Sequence, residues 1–317
     1  MTAPQTKQQA AITLQGVSKS FGKVAVLKSL DLVVEHGAIH GLVGLNGSGK
    51  TTTLDCILGL RPIDSGAISV LDLPPSHLYR AEGRVVAIFD TPSLHTHLSV
   101  RQALEHARLL LPNPERDVDE VMSLLEINRY ANYKVRSLSL GNRRRASIAH
   151  ALLGNPELIL LDEPFNGLDA GGVDEVLELI SRFNREFGMS FLLSSHQLPY
   201  LQTICTHLSV LHEGRIAVSG SVESLLAATS ARVEITTPQC EAAQELLATM
   251  SGLSIERIIN NVLHIVLQGA KPAEINRKLI ESGIEVEELV HGQASLNTVF
   301  REHTSDTPTS IASRGAL

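Results

Sequence analysis

The segment Gly44–Thr53, with the sequence GLNGSGKTTT, constrains the fold of this chain more than any other stretch. Its glycines, Lys50 and Thr51 stand in the order of the phosphate-binding pattern G-x-x-x-x-G-K-[ST]. The apolar run over residues 38–43 predicts a buried strand before this loop, and residues 54–58 predict a helix after it. A Gly/Ser turn without a ligand is the plain alternative, but it needs neither the lysine nor the threonine. The pattern therefore predicts a P-loop in an α/β fold.

The loop is predicted to hold the phosphates of a nucleoside triphosphate. Glycines let successive backbone N–H groups turn inward without a Cβ clash, and the helix N-terminus adds a partial positive charge. Lys50 would reach the β- and γ-phosphates, and the Thr51 hydroxyl would bind Mg²⁺. The predicted nucleotide-binding residues of the loop are Gly44, Asn46, Gly47, Ser48, Gly49, Lys50, Thr51 and Thr52.

Composition limits the possible classes of protein. The 317 residues leave room for one large and one small domain, and the net charge of −7 argues against a general nucleic-acid surface. The three cysteines lie far apart and match neither a disulfide framework nor a metal site, which suits a reducing, cytosolic setting. The first ten residues are polar, so no signal peptide is predicted, and no stretch approaches the ~20 apolar residues of a membrane helix. A function at a membrane would therefore need spans from another chain.

A second informative stretch is Leu158–Pro164, with the sequence LILLDEP. Its four aliphatic residues predict a buried parallel strand, and Asp162 and Glu163 come at the C-terminal end, where α/β sheets place their ligands. Asp162 is predicted to hold Mg²⁺ through water, and Glu163 to orient or deprotonate the attacking water. Two acids at a strand end can also cap the next helix, but the upstream P-loop favours catalysis. His196 follows another predicted strand, 191–193, and is placed to touch a γ-phosphate.

The order of these motifs resembles the ATPase subunits of ABC transporters, and the resemblance covers about residues 11–222. Phe21 stands where that family stacks an aromatic ring on adenine. Residues 138–142, LSLGN, occupy the place of the family signature LSGGQ. By resemblance, Ser139 and Gly141 present a hydroxyl and an N–H to the γ-phosphate that the opposite subunit holds.

The same resemblance supplies the remaining site residues. Asp169 closes the D-loop sequence NGLD and is expected at the nucleotide, and His196 matches the switch histidine. The resemblance implies Glu163, His196 and Lys50 as catalytic residues, with ATP and Mg²⁺ as ligands.

Two departures from the family pattern stand out. The signature has Leu140 for its first glycine and Asn142 for its glutamine, as in similar sequences of drug- and peptide-export ATPases of the ABC-2 type. The usual Q-loop glutamine falls on Asp90. An aspartate accepts a hydrogen bond from Mg²⁺-bound water but cannot donate one. The predicted metal-site residues are therefore Thr51, Asp90 and Asp162.

The predicted organisation is an α/β P-loop NTPase of the ABC ATPase type, followed by a small α+β domain. The ATPase domain is expected over residues 1–222, with an inserted helical subdomain at about 91–155. Residues 223–302 show a strand–helix–strand–strand–helix–strand order, with the last strand expected over 284–290, and this order indicates a ferredoxin-like module. Its expected role is to brace the dimer or dock a partner. The Ser/Thr/Pro/Gly-rich stretch 303–317 predicts a disordered tail.

The expected function is an ATP-binding and ATP-hydrolysing subunit that forms a homodimer and powers an integral membrane permease in trans, with export favoured. Its expected location is the cytoplasmic face of the inner membrane, as a peripheral subunit. The rival is a soluble ABC ATPase acting on nucleic acid or ribosomes. Those relatives carry a coiled-coil insertion, zinc sites or two fused cassettes, which this sequence lacks. A third possibility is a binding or scaffold protein with an inactive site. The sequence argues against it, because it retains Lys50, Asp162, Glu163 and His196.

Overall fold

The computed structural model describes residues 10–90, 94–112, 114–228, 232–292 and 295–304. Most of the predicted leader, the first three residues of the predicted helical subdomain, and the predicted tail beyond Thr304 lie outside these ranges. The described chain divides into two units, one up to Val222 together with His303 and Thr304, and the other over Glu223–Glu302.

The first unit alternates strands and helices, apart from an antiparallel start and a helix-rich middle. In chain order it contains β1 (Ala10–Phe21), β2 (Val24–Glu35), β3 (Ile39–Val43), α1 (Lys50–Ile57), β4 (Ser65–Val70), β5 (Val85–Ile88), α2 (Val100–Leu110), α3 (Val118–Leu124), α4 (Leu140–Ala151), β6 (Leu158–Asp162), α5 (Ala170–Phe187), β7 (Ser190–Ser195), α6 (Leu198–Ile204), β8 (His207–His212) and β9 (Arg215–Ser221).

The central sheet of this unit has the strand order β5-β6-β7-β3-β8-β9. Every neighbouring pair is parallel except β8 and β9, which are antiparallel. All residues of β3, β6 and β7 are buried, because helices cover both faces of a parallel sheet. The C-terminal ends of β3, β6 and β7 therefore meet at one edge of the sheet, and the loops that follow them carry the P-loop, Glu163 and His196.

A second sheet packs over the P-loop helix. Its order is β2-β1-β4, with antiparallel pairing throughout. The inward residues of β1 and β2 alternate with outward ones, as a half-exposed sheet requires, and share one hydrophobic core with Leu54 and Ile57 of α1. This core fixes the direction in which α1 leaves the loop.

Helices α2, α3 and α4 lie between β5 and β6 in the chain, where the helical subdomain was predicted. Helix α2 begins with a capping box, in which the Ser99 side chain and the Gln102 side chain each accept from the other residue's backbone N–H. Its buried residues follow one face, including Val100 and Leu104. The last of the three helices, α4, begins immediately after Ser139.

The second unit combines strands and helices in the part of the chain that the structure describes. It contains α7 (Val222–Ala228, which starts in the first unit), β10 (Arg232–Thr236), α8 (Cys240–Ala248), β11 (Leu253–Ile259), β12 (Val262–Leu267), α9 (Pro272–Glu281), β13 (Glu288–Gly292) and α10 (Leu296–Thr304). The sheet is antiparallel with the order β11-β12-β10-β13, and its own core includes Val233, Ile265 and Leu279.

Two boundaries in this unit differ from the prediction. The last strand was predicted over 284–290, but β13 begins at Glu288, because Ile284 already packs into the core from the turn after α9. The predicted tail from residue 303 starts inside α10, which continues to Thr304. None of the helices in the described ranges combines the length and apolar character that crossing a bilayer requires.

Candidate functional site

The P-loop has a backbone that only glycine accommodates at several positions. Gly47 and Gly49 have φ angles of 82° and 111°, in the region that L side chains avoid. At Gly44 a Cβ atom would collide with Ser48 Oγ and with the carbonyl of Leu211. Glycine is therefore required at these positions of the loop, and α1 begins directly at Lys50.

Lys50 lies inside this loop and is 6% exposed. Its Nζ donates to the carbonyl oxygen of Gly44 at 2.8 Å and to that of Leu45 at 3.4 Å, and it lies 3.3 Å from Glu163 Oε1. A shielded ammonium with three oxygen neighbours is held in one position, where a phosphate oxygen can replace one of them.

Asp162 ends β6 and is buried at the same sheet edge. Thr51 Oγ1 donates to Asp162 Oδ2 at 3.1 Å, and the Ser194 hydroxyl donates to Asp162 Oδ1 through a short hydrogen bond. The Thr51 hydroxyl and the Asp162 carboxylate, predicted from distant parts of the sequence to share a metal, are thus in direct contact.

Glu163 follows Asp162 with a φ of 45°, an unusual value for a residue other than glycine. Its backbone N–H donates to the Ser194 carbonyl at 3.0 Å, which stabilises this turn at the end of the strand. His196 Nδ1 lies 3.0 Å from both carboxylate oxygens of Glu163. His196 is 41% exposed in its side chain and Glu163 is 13% exposed, so the pair lies at the mouth of the site.

These residues fit a triphosphate with Mg²⁺. The loop offers a shielded lysine cation, and Ser48 Oγ is buried with no hydrogen-bond partner among the described residues. Such an unpartnered hydroxyl is suited to a ligand oxygen. The hydroxyl of Thr51 and the carboxylate of Asp162 supply the hard oxygen ligands that Mg²⁺ prefers.

The signature residues lie in a separate groove of about 440 Å³. Ser139 caps α4, and its Oγ accepts from Asn142 N at 3.3 Å and from Asn142 Nδ2 at 2.9 Å. A Cβ on Gly167, in the D-loop, would come within 2.9 Å of Leu140 Cδ2, so this glycine makes room for the leucine that replaces the first signature glycine. The groove is lined by Arg129, Ser139, Leu140, Gly141, Asn142, Arg145, Gly167, Leu168, Asp169, Gly171, Gly172 and Glu175.

The other predicted site residues stand apart from the P-loop cluster. Asp169 caps α5, with its Oδ1 accepting from Gly172 N at 2.8 Å, and it lines the signature groove. Phe21 ends β1, and its ring is 41% exposed, with Lys19 Nζ and Arg61 Cζ 5.6 and 5.3 Å from the ring centroid. The Asp90 side chain is exposed, and no contact joins its carboxylate to Thr51 or Asp162 in the described residues. Its place in the metal site stays a prediction.

Two residues that the motifs did not single out contribute to the site. Ser194, at the end of β7, holds Asp162 with its hydroxyl. Arg144 is buried and bonds to the backbone that ends with Asp90. A hydroxyl at the end of a core strand was a usable signal for the first, but no sequence signal separates Arg144 from its neighbours Arg143 and Arg145.

Comparisons with known proteins agree with this geometry. The family model described as ABC transporter matches residues 27–166. The ABC transporter ATP-binding protein YhaQ of Bacillus subtilis is 34% identical over 218 residues, which are 68% of this chain and 72% of that protein. The bacitracin transport ATP-binding protein BcrA of Bacillus licheniformis is 27% identical over 290 residues, 90% of this chain and 94% of that one.

Solved structures give the same result for the first unit. A structure of the ATP-binding subunit of an ABC transporter superposes with a TM-score of 0.62 at 26% identity, covering 68% of this chain and 92% of the other. The predicted P-loop NTPase fold of the ABC type and the family resemblance are both confirmed. The chain belongs to the family of ABC transporter ATP-binding proteins and is an ATPase.

Proposed function

We propose that this chain hydrolyses ATP as the peripheral subunit of an exporter, in which two copies close around two nucleotides and drive an integral membrane permease. The observation that carries the proposal is the contact chain at one sheet edge. Lys50 pairs with Glu163, Glu163 contacts His196, and Thr51 contacts Asp162. Cation, carboxylates, imidazole and hydroxyl are the groups that phosphoryl transfer to water requires.

Each residue has a role that follows from its position. Lys50 binds and orients the transferring phosphate, and its shielding from solvent strengthens that attraction. Glu163 orients the attacking water and takes its proton, while His196 at 3.0 Å holds the carboxylate in place and faces the γ-phosphate. Thr51 and Asp162 would hold Mg²⁺, with Asp90 nearby, and Mg²⁺ would neutralise the phosphate charge.

A second copy is needed because the signature groove is separate from the P-loop cluster. In the described residues, the hydrogen bonds of Ser139 and Asn142 involve no P-loop residue. We assign Ser139 and Gly141 to the nucleotide held by the opposite copy, with Asp169 beside it, and Phe21 to the adenine base. The second unit is assigned a bracing or partner-docking role.

A role in transport is supported by the relatives. BcrA, which aligns with nearly all of this chain, is by name a bacitracin transport protein. We propose an integral membrane permease as the partner in trans and export as the direction, with the chain at the cytoplasmic face of the membrane. Affinity purification of the full chain from detergent-solubilised membranes should recover a multispanning protein. Recovery of ribosomes or nucleic acid in its place would contradict the proposal.

The shared site is tested by mixing two inactive variants. Ser139→Arg fills the signature groove, and Lys50→Ala removes the phosphate cation, so each homodimer should be inactive. In a mixed dimer one site combines a sound P-loop with a sound signature. Random pairing at equal concentrations should restore roughly a quarter of the wild-type ATPase rate.

The control is a mixture in which both proteins carry Lys50→Ala, one with and one without Ser139→Arg. Its mixed dimers have no sound P-loop, and it should stay inactive. Absence of recovery in the first mixture, with heterodimers demonstrated by differently tagged copies, would rule out sites shared between chains.

A further inference from the structure

Arg144 is a buried cation that the roles assigned above do not use. It lies in α4, five residues after Ser139, and its side chain is 1% exposed. Its neighbours Arg143 and Arg145 on the same helix are only partly buried. The helix therefore points this one arginine into the protein interior.

The buried guanidinium bonds to the backbone where β5 ends. Arg144 Nη1 donates to the carbonyl oxygen of Phe89 at 2.9 Å, and Nη2 donates to that of Asp90 at 3.3 Å. The rigid fork of an arginine reaches two successive carbonyls at once, which a single nitrogen cannot do with the same geometry. Arg144 thus connects α4 to residues Phe89 and Asp90, which follow β5.

The charges around Arg144 are those of the nucleotide site. Burial lowers the pKa of Arg144, and the carboxylates of Asp90 and Asp162 act in the opposite direction. An arginine stays protonated in this situation. A hydrophobic side chain would fill the same space without the desolvation cost, so filling the core does not explain a cation here.

We propose that Arg144 is a positioning residue of the ATPase site, because it fixes the Phe89–Asp90 segment to α4 and so presents the Asp90 carboxylate to the bound nucleotide. Helix α4 starts at the signature, so a shift of the signature would be transmitted to Asp90 through this arginine. The proposal rests on the proposed function, in which Asp90 lies near the phosphates.

The test compares the effect of Asp90→Asn in two backgrounds of the full-length protein. The measurement is titration calorimetry with the non-hydrolysable ATP analogue adenylyl imidodiphosphate, in EDTA and in Mg²⁺. In the wild-type background, removing the carboxylate charge should tighten metal-free binding by about tenfold. In the Arg144→Gln background the gain should shrink below about threefold, because the segment is no longer held in place.

The matched control is Arg143→Gln, on the same helix. Arg143 donates to the carbonyls of Arg136 and Leu138 and has no contact with the Asp90 segment among the described residues. In this background the gain from Asp90→Asn should stay at about tenfold. If circular dichroism shows that Arg144→Gln does not fold, Arg144→Lys keeps the buried charge on a single nitrogen and should also reduce the gain.

Two results would overturn the proposal, and they are distinguishable. An equal gain from Asp90→Asn in all folded backgrounds would mean that Arg144 does not position Asp90, and the proposed function would stand. If Asp90→Asn alone leaves the affinities for both the metal-free and the Mg²⁺-bound analogue unchanged, Asp90 does not lie near the phosphates. The proposed place of Asp90 would then fail together with the inference.

Discussion

Lys50 Nζ lies 3.3 Å from Glu163 Oε1, so the phosphate-binding cation and the carboxylate assigned as general base form an ion pair. Both side chains are largely shielded from water, which strengthens the attraction. A triphosphate in the loop would compete with Glu163 for the same ammonium. We therefore expect nucleotide binding to free this carboxylate for the attacking water.

The first prediction concerns Glu163→Gln. The amide keeps the shape of the side chain but cannot take a proton, so ATP affinity should stay within a few-fold of wild type while turnover falls at least ~10²-fold. The variant should accumulate as an ATP-bound dimer, detected by light scattering. Glu157→Gln, at a half-exposed surface pair with Arg84, is the control and should keep normal turnover. Hydrolysis at the wild-type rate would remove Glu163 from its role.

A second prediction concerns Ser194→Ala. The lost hydroxyl frees Asp162 Oδ1, and the carboxylate should then orient less well toward Mg²⁺. Loss of such an outer-shell partner is expected to weaken apparent Mg²⁺ affinity by roughly 10-fold, measured as the Mg²⁺ dependence of the ATPase rate. Ser195→Ala is the matched control, because that hydroxyl accepts from Gln197 N and does not contact Asp162. An unchanged Mg²⁺ dependence in Ser194→Ala would contradict the assignment.

The third prediction concerns pH and His40 in β3. Its Nε2 lies 2.8 Å from Ser209 Oγ, and burial, followed by the nearby His207, lowers the pKa of His40 to about 3. In the unfolded chain the imidazole of His40 becomes protonated below about pH 6.5, whereas in the folded chain it becomes protonated only near pH 3. The unfolded state binds more protons in that window, so stability is lost as the pH falls through it.

For His40 the expected loss between pH 7 and pH 5 is about 2 kcal/mol of unfolding free energy. His40→Gln should show a pH dependence smaller by that amount in urea unfolding at the two pH values. His36→Gln, at an exposed histidine, should follow the wild type. Equal slopes for wild type and His40→Gln would show that His40 is not neutral in the folded protein.

The fourth prediction concerns a chain ending at Val222. The hydrophobic core that carries the P-loop helix draws on residues 11–216, and the core of the second unit draws on residues 233–289. Because each core is complete in itself, the shortened chain should fold and bind ATP like the full chain, measured by circular dichroism and calorimetry. If the second unit braces the dimer, light scattering should show weaker ATP-dependent dimerisation. An insoluble product would contradict the separate cores.

The P-loop and the two acids at the end of β6 were predictable because their chemistry fixes both residue type and spacing. Gly44, Lys50 and Thr51 must follow a buried strand, and Asp162 and Glu163 must end another, since ligands of parallel sheets meet at the carboxyl ends of strands. The structure places these strands one strand apart, on either side of β7. This arrangement follows from the order of all the strands in the sheet, and no local sequence pattern specifies that order.

The features that the sequence did not predict depend on how a helix is rotated about its axis and on where a strand begins. Arg144 and its neighbours Arg143 and Arg145 are identical in type, and only the packing of α4 decides which one points inward. The start of the last strand was predicted four residues too early, because Ile284 is apolar whether it lies in a strand or in a turn that packs on the core. Strands β8 and β9 were not singled out, since short apolar runs give weak signals.

The hydrogen bonds of Ser139 at the N-terminus of α4 determine which ligand atoms its hydroxyl can bind. Ser139 Oγ has two lone pairs, and Asn142 occupies both with its backbone N–H and its side-chain amide. Only the hydroxyl hydrogen is left, so Ser139 can donate a hydrogen bond to a ligand but cannot accept one. A phosphate oxygen satisfies it, whereas an ammonium or amide N–H would find no acceptor there. Asn142 thus leaves Ser139 with a hydrogen-bond donor alone toward the groove, which is what a phosphate oxygen from the opposite copy's nucleotide requires.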